Sequence, residues 1–398
     1  MIALPDNRDE NWRYANLRPL AKARLDSAPS PAGDVALQSP VALDGYRRWT
    51  FVDGHLSASD ASPDARIRLL DSRQAGESFA ALLDADLASA GVDFALARIN
   101  AARGDVVLQL ELPDDSAPLD LELVFFAATP AAKGTSYPRV QVIAGRNTRL
   151  RLVERHLSGA HADAAVNAAF DVALRPGASV DHLRLQDCAA NTVIFDTLVA
   201  HVGDSADYRL RTVTLGGLTS RSTAFIKLAG RCARCEFTAA SVATGIQTHD
   251  LFAEIEHIGA GTVTREMFRG IANDRGKLAF NGKMIVRENA HDADSDQSLK
   301  TLLTGSGSEA AARPQLEIYT DRVRAKHGAT SGKLDEQMLF YMLSRGLDRA
   351  TAQTLLQWAF IEDAVARIEP LALRGEIERL IAARLREVST LDGLLAKA

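Results

Sequence analysis

Apolar and polar residues alternate with a period of two through the middle of the chain, from Gly104 to about residue 243. Short segments of this kind follow one another and many end in Gly, Pro or Asp, which is typical of strands separated by turns. Hairpin signals of the Asn-Gly type are nearly missing, and Asn281-Gly282 is the one exception. The pattern predicts a mainly β core, built as a sandwich, a barrel or a β-solenoid. The clearest segments are DVVLQLELP, LDLELVFFA, RVQVIAG, TRLRLVERHL, TVIFDTLVAHVG, DYRLRTVTLGG and CEFTAASVATG.

Helical periodicity appears on both sides of this core. Towards the N-terminus it predicts three helical pieces, with short strand-like segments between the first two. These pieces are residues 1 to about 30 around Trp12, a helix from Glu77 to a cap at Gly91, and Phe94–Ala102. Towards the C-terminus, Asp348 is a candidate N-cap. A last helix after Pro370 carries an apolar face that includes Ile377 and Ile381. We predict an N-terminal mixed section (1–104), a core (105–326) and a C-terminal helical domain (327–398).

The pattern changes from strand to helix around His327. Residues 314–324 alternate, whereas helical spacing begins near Lys333 and stops at Gly346. Between the two, in the segment KHGATSG, His327 is followed only by small residues. We expect a tight turn here, with the His327 ring accessible.

Charge and composition exclude several classes of protein. The 398 residues include 46 Lys and Arg and 51 Asp and Glu, for a formal net charge of −5, so nucleic-acid backbones are poor partners. The first residues carry early acidic side chains and no signal-peptide pattern, and no apolar run is long enough to span a membrane. Three cysteines are too few for a disulfide framework. We therefore expect a cytoplasmic protein.

Cys232 and Cys235 form a C-x-x-C pair without a second pair of ligands for zinc. A redox C-x-x-C usually begins a helix, but strand-like sequence follows this one. We interpret both as structural cysteines.

The remaining polar residues suggest an alternative function. Glu254, Glu256 and His257 lie on one strand-like segment, and paired carboxylates on a β-solenoid are typical of carbohydrate lyases and hydrolases. Solvent-facing positions explain these side chains equally well. Solvent-facing positions also explain His201, His249 and His291, which do not have the regular spacing of metal ligands.

Three blocks of sequence resemble the SufD family of the SUF iron–sulfur assembly system. They are ENWRY at Glu10–Tyr14 with Leu17, FNGK at Phe280–Lys283 followed by QSLKTLL at Gln297–Leu303, and PQLEIYTDRVRAKHGATSGKLDEQMLFYMLSRGL from Pro314. They occur in order over nearly the whole chain. The resemblance implies a right-handed parallel β-helix core between the N-terminal section and the C-terminal helices. It also implies an accessory subunit without catalytic residues of its own.

The resemblance also implies roles and partners. His327 matches the family's His-Gly-Ala-Thr core and would contribute to an iron or cluster site at the junction with a SufB-type paralogue. A thiol that family members often carry two residues earlier is replaced by Ala325. Leu299 stands at or beside the position of the essential cysteine of SufB proteins, so this chain would not build a cluster alone.

The resemblance implies that the β-helix contacts the SufB-type partner and that the C-terminal helices contact a SufC-type ABC ATPase. The chain alone would hold no cofactor stably, and the cluster would occupy the junction transiently. A homodimer of the isolated chain is a further expectation.

Overall fold

Two sheets packed against each other form the centre of the molecule. The computed structural model describes residues 3–20, 23–29, 40–59, 64–71, 91–159 and 163–385. The strands are β1 (Arg47–Val52), β2 (His55–Ser59), β3 (Ile67–Asp71), β4 (Val106–Leu112), β5 (Leu119–Ala127), β6 (Arg139–Ala144), β7 (Arg149–Ser158), β8 (Ala165–Leu174), β9 (Ser179–Asp187), β10 (Val193–Val202), β11 (Asp207–Thr214), β12 (Thr219–Leu228), β13 (Arg234–Ala243), β14 (Thr248–His257), β15 (Val263–Ala272), β16 (Lys277–Val286), β17 (Ala293–Leu303), β18 (Glu309–Ile318) and β19 (Val323–Gly332).

From β4 onward the strands alternate between the sheets, so each coil contributes one strand to each. The coils stack in parallel register, as where Val193 of β10 aligns with Ala165 of β8 and Thr219 of β12. Since aligned side chains share a face, inward apolar residues of both sheets form one continuous core. Each fully buried Leu or Phe contributes about 1.5–3 kcal/mol there. The predicted parallel β-helix core is confirmed.

The glycines that end many strands allow the coils to stack closely. A Cβ on Gly259 would collide with the carbonyl oxygen of Gly230, and one on Gly230 would collide with the backbone of Gly203 and Asp204. Because backbone meets backbone at this corner, only glycine fits.

The N-terminal section is less helical than its sequence predicts. Within residues 3–20 and 23–29, a 3-10 helix at Glu10–Trp12 stands where the sequence predicts a long helix. Its buried Trp12 donates from Nε1 to Asp93 Oδ1 at 2.7 Å, so a tertiary contact holds this segment and a long helix is not needed. The predicted helix from Glu77 lies outside the described residues. The piece predicted at Phe94–Ala102 is confirmed as α1 (Ala95–Arg103).

Three further helices follow the last strand: α2 (Glu336–Ser344), α3 (Arg349–Val365) and α4 (Leu371–Arg384). Asp335 accepts hydrogen bonds from the amides of Gln337 and Met338, and Asp348 caps α3 through Thr351 N at 2.9 Å. Within the described ranges, no helix combines the length and apolar character needed to span a membrane.

Helices α3 and α4 cover the outer face of the odd-numbered sheet. Ile361 and Ile377 are fully buried against residues such as Leu185 and Ile271. Ion pairs hold the two layers together, including Arg155 Nη1 to Glu376 Oε1 at 2.6 Å and Arg269 Nη2 to Asp363 Oδ2 at 2.8 Å. Most of the apolar surface of this helical region is therefore buried on the solenoid.

The Asn281-Gly282 dipeptide is not a turn. Both residues lie inside β16, where Asn281 aligns with Phe252 of β14 and Arg313 of β18. Hydrogen-bonded neighbours on both edges hold the dipeptide extended, and its hairpin tendency is overridden.

Candidate functional site at the last coil

His327 lies in the middle of β19, the last strand of the odd-numbered sheet. The prediction of a tight strand-to-helix turn at this residue is wrong, since α2 begins only at Glu336. Each small residue of the segment pairs with β17, as Gly328 does with Ser298, and this ladder keeps the backbone extended. The His327 side chain is exposed, as expected.

The β-ladder places two buried polar residues beside His327. Gln297 of β17 aligns with His327, and Glu266 of β15 aligns with Gln297. Because aligned residues of parallel strands point to the same face, the three side chains form one row. Glu266 and Gln297 are 3% and 1% exposed, so the row runs from the interior to the open end of the solenoid.

A short hydrogen bond joins the two buried members of the row. Gln297 Nε2 donates to Glu266 Oε2 at 2.5 Å. Burial raises the pKa of Glu266 to about 7, although the bond from Gln297 acts in the opposite direction. The other oxygen of each side chain, Oε1 in both, is buried without a hydrogen-bond partner in the described part of the chain.

Gly282 makes room for this pair from the opposite sheet. A Cβ on Gly282 would overlap Gln297 Nε2 and lie 3.2 Å from Glu266 Oε2. The FNGK and QSLKTLL blocks and His327 are thus parts of one location. Sequence reasoning singled out all three segments, but it did not identify Glu266 or Gln297 as site residues.

Leu299, which the resemblance puts at or beside the cysteine of SufB proteins, is fully buried in the core. Among the cysteines, Cys188 and Cys235 are buried, and burial raises the pKa of both thiols. Cys232 is exposed in a turn, with a φ of 56°. These environments favour structural cysteines over a reactive pair. Over the described residues, no three His, Cys, Asp or Glu side chains are grouped so as to hold a metal ion.

Two histidines expected at the surface are buried. His257 is bonded to Thr262 Oγ1 at 2.8 Å and Thr264 Oγ1 at 3.0 Å, and His249 Nδ1 is 2.9 Å from Ser241 Oγ. Burial lowers the pKa of both imidazoles to about 4, so they are neutral at pH 7. His201 and His291 are only partly buried.

The sequence analysis also did not predict a buried charged cluster around Glu154. Glu154 Oε1 lies 2.6 Å from His182 Nε2, and its Oε2 accepts from Arg184 Nε at 3.0 Å. Burial raises the pKa of Glu154, but His182 and Arg184 outweigh burial and hold it well below its usual range. The alternation of the strand could have indicated that Glu154 is buried. Its side chain points to the same face of β7 as those of the buried Leu150 and Leu152.

The carboxylates that a lyase or hydrolase would use form ion pairs with Lys and Arg side chains. Glu254 Oε2 lies 3.5 Å from Lys283 Nζ, and Glu256 forms an ion pair with Arg287. With His257 buried and neutral, this strand offers no free acid–base pair. The enzyme alternative is not favoured.

Helix α2 presents apolar side chains to solvent. Met338, Phe340 and Tyr341 are 55%, 73% and 58% exposed, whereas Leu339 is buried. Exposed aromatic and apolar residues grouped in this way are typical of protein-binding surfaces.

Comparisons with known proteins agree with this architecture. Residues 126–360 match the family model described as "SUF system FeS cluster assembly, SufBD core domain". The match covers more than half of the chain, which therefore belongs to the SufBD family.

The relatives point to the SufD branch of that family. The iron–sulfur cluster assembly protein SufD of Escherichia coli is 24% identical over 96% of this chain and 89% of its own length. A SufBD family protein of Synechocystis is 24% identical over 96% of this chain and 88% of its own length. A SufBD family protein of Mycobacterium leprae is 25% identical, over 62% of this chain and 28% of its own length. The fold and these relatives support a SufD-type iron–sulfur cluster assembly subunit.

Proposed function

We propose that this chain is the SufD-type subunit of a cytoplasmic SUF complex. It pairs through the last coil of its solenoid with a SufB-type paralogue and through its C-terminal helices with a SufC-type ABC ATPase. It has no catalytic centre of its own. The iron–sulfur cluster is the cargo of the complex and occupies the junction with the SufB-type partner transiently.

The position of His327 is the observation that carries this proposal. In the described chain, β19 and β18 each end a sheet and have no neighbour on their outer edge. Such edges pair readily with strands of another protein. An exposed imidazole on this edge would therefore lie inside any junction formed there.

The chemistry of His327 suits a shared iron site. Neutral imidazole binds iron, and a site completed by ligands from a second chain binds less permanently than four thiolates of one chain. With Leu299 and Ala325 at the positions discussed above, neither supplies a thiol. The partner would contribute the remaining ligands.

The apolar residues of α2 support docking of the ATPase. Phe340 is the most exposed of them and lies next to the buried Leu339, which anchors the helix. Aromatic residues of this kind dominate the binding energy of many interfaces.

The isolated chain offers the same edges to a second copy of itself. We propose that it forms a homodimer when no SufB-type partner is present. Light scattering of the purified chain, with and without that partner, tests this. A monomer in the absence of that partner would contradict the homodimer without affecting the heteromer.

Co-expression with SufB- and SufC-type proteins tests the main proposal. The wild-type chain should co-purify with both and the complex should contain iron. His327→Ala should leave the complex intact and lower its iron content severalfold, because one ligand is lost. Lys326→Ala is the matched control. Lys326 is the neighbour of His327 on β19, but its side chain points to the other face of the sheet, where it is aligned with Asp296 of β17.

Two different outcomes would contradict the proposal. Failure of the wild-type chain to bind either partner would remove the subunit role. Unchanged iron content in His327→Ala would remove the ligand role alone.

A further inference from the structure

The residue aligned with His327 carries an unpartnered amide oxygen. Gln297 Oε1 is buried and has no hydrogen-bond partner among the described residues. Buried amide oxygens are nearly always bonded, so an oxygen left free marks a place where a donor belongs.

The orientation of this amide is determined by Glu266. Gln297 Nε2 donates to Glu266 Oε2, and with Glu266 ionised, as it is at pH 8, exchanging the two amide atoms would turn an oxygen towards an acceptor. Glu266 is on β15, on one side of β17, whereas His327 is on β19, on the other side. Towards β19, the residue aligned with Gln297 is His327.

The spacing of the strands permits the missing contact. Neighbouring strands lie about 4.8 Å apart, and aligned side chains on one face contact each other directly. His327 is exposed at the end of the sheet, so its ring is not held by packing against a following coil. Gly282 keeps the space in front of Gln297 free of a side chain.

We propose that Gln297, fixed by Glu266, orients His327 by accepting a hydrogen bond from one of its ring nitrogens. The second ring nitrogen is then unprotonated in neutral imidazole and available to a metal ion. Gln297 and Glu266 are positioning residues in this arrangement, because they act on iron only through His327. The consequence for iron rests on the proposed function, whereas the orientation of the ring does not.

The physical reason is the two-nitrogen chemistry of histidine. The hydrogen bond made by one ring nitrogen selects the tautomer and so decides which nitrogen binds a metal. A glutamine oxygen provides this bond without adding a charge beside the site. Loss of such a supporting bond typically weakens metal binding 10–100-fold.

The isolated chain with ¹⁵N-labelled histidine tests the orientation. The ring-nitrogen signals of His327, assigned by their loss in His327→Ala, should show one dominant tautomer in the wild type near pH 8. Gln297→Leu should give a mixture of tautomers. Gln315→Leu is the matched control, because it makes the same change in the same coil on β18, and it should leave the signals unchanged.

Exchanging the residues at positions 266 and 297 is a more stringent test. In Glu266→Gln/Gln297→Glu, the new amide still donates to the new carboxylate, which retains one oxygen for His327. The dominant tautomer should return in this double variant. This result cannot come from a general loss of packing, and circular dichroism verifies that each variant is folded.

The outcomes separate this inference from the proposed function. Identical tautomer populations in the wild type and folded Gln297→Leu would overturn the role of Gln297, whatever iron does. In the co-expressed complex, Gln297→Leu should bind added Fe²⁺ 10–100-fold more weakly than the wild type. If His327→Ala does not weaken iron binding, the ligand role fails and the tautomer result stands by itself.

Discussion

Glu266 is a carboxyl group enclosed between two sheets, and its ionisation opposes folding. Burial raises its pKa in the folded chain to about 7, from the ordinary value of 4.5. Between these pH values the folded state binds a proton that the unfolded state releases. The free energy of unfolding therefore falls as the pH rises through this window.

Glu266→Gln should remove this dependence. From pH 4.5 to 7.5, the wild type should lose on the order of 3 kcal/mol of unfolding free energy relative to the variant, because each pKa unit corresponds to about 1.4 kcal/mol. Urea denaturation at a series of pH values measures the difference. Glu288→Gln, at an exposed turn position, is the control and should follow the wild type. Parallel pH profiles for the wild type and Glu266→Gln would show that Glu266 ionises without cost.

Glu154 is a second buried carboxyl group of the solenoid, and its pKa is shifted in the opposite direction. Glu154 is held ionised by His182 and Arg184, whereas among the described residues Glu266 has only the neutral Gln297 as its hydrogen-bonding partner. The difference lies in the neighbours, since burial is nearly complete for both carboxyls. A single inward-facing carboxyl can thus stabilise or destabilise the fold according to its partners.

At the scale of elements, the outer face of the odd-numbered sheet is covered by α3 and α4. Their apolar faces and the ion pairs from Arg155 and Arg269 join helices to strands that are far apart in sequence. Amphipathic helices of this length derive most of their stability from such packing. The cover should therefore depend on a few fully buried side chains.

Ile377→Ala should lower the free energy of unfolding by about 2–5 kcal/mol, because it leaves a cavity between α4 and the sheet. Leu371→Ala on the same helix is the control, since this side chain is 67% exposed and its loss should change stability by about 0.5 kcal/mol or less. Denaturation curves of both variants provide the comparison. Equal effects would mean that α4 contributes little through burial.

At the scale of the whole molecule, two regions remain for partners. The open coil end carries His327, and α2 carries an exposed apolar surface. Because different side chains form the two proposed contacts, each contact can be disrupted by its own substitution.

Phe340→Asp should weaken binding of the SufC-type ATPase at least tenfold, because a charge replaces an exposed aromatic residue of the proposed interface. Pairing with the SufB-type protein should not change. Ile246→Asp is the matched control, as Ile246 is an exposed apolar residue in a corner between β13 and β14. Titration of the purified ATPase against each variant measures affinity, and an undiminished affinity for Phe340→Asp would exclude α2 from the contact.

Local pattern predicted much of the fold. Period-two segments such as Leu119–Ala127 and Val193–Val202 are strands, and Asp348 caps a helix as its position indicated. Capping and strand alternation depend on residues close in sequence, which explains this success. The choice of a β-helix over other β architectures came from family resemblance, and the domain boundaries stay predictions.

The sequence by itself determined many of the strands and the C-terminal helices, and that Leu299 and Ala325 cannot supply thiols. Only the tertiary structure decided that the KHGATSG segment is extended, that Asn281-Gly282 is not a turn, and that Glu154 and His257 are buried. It also decided that Glu266, Gln297 and His327 form one row. The reason is that alternation specifies the face of a strand, whereas neighbours across strands depend on the length and register of each coil. Glu266 and Gln297 are 31 positions apart and meet only because consecutive coils stack in register.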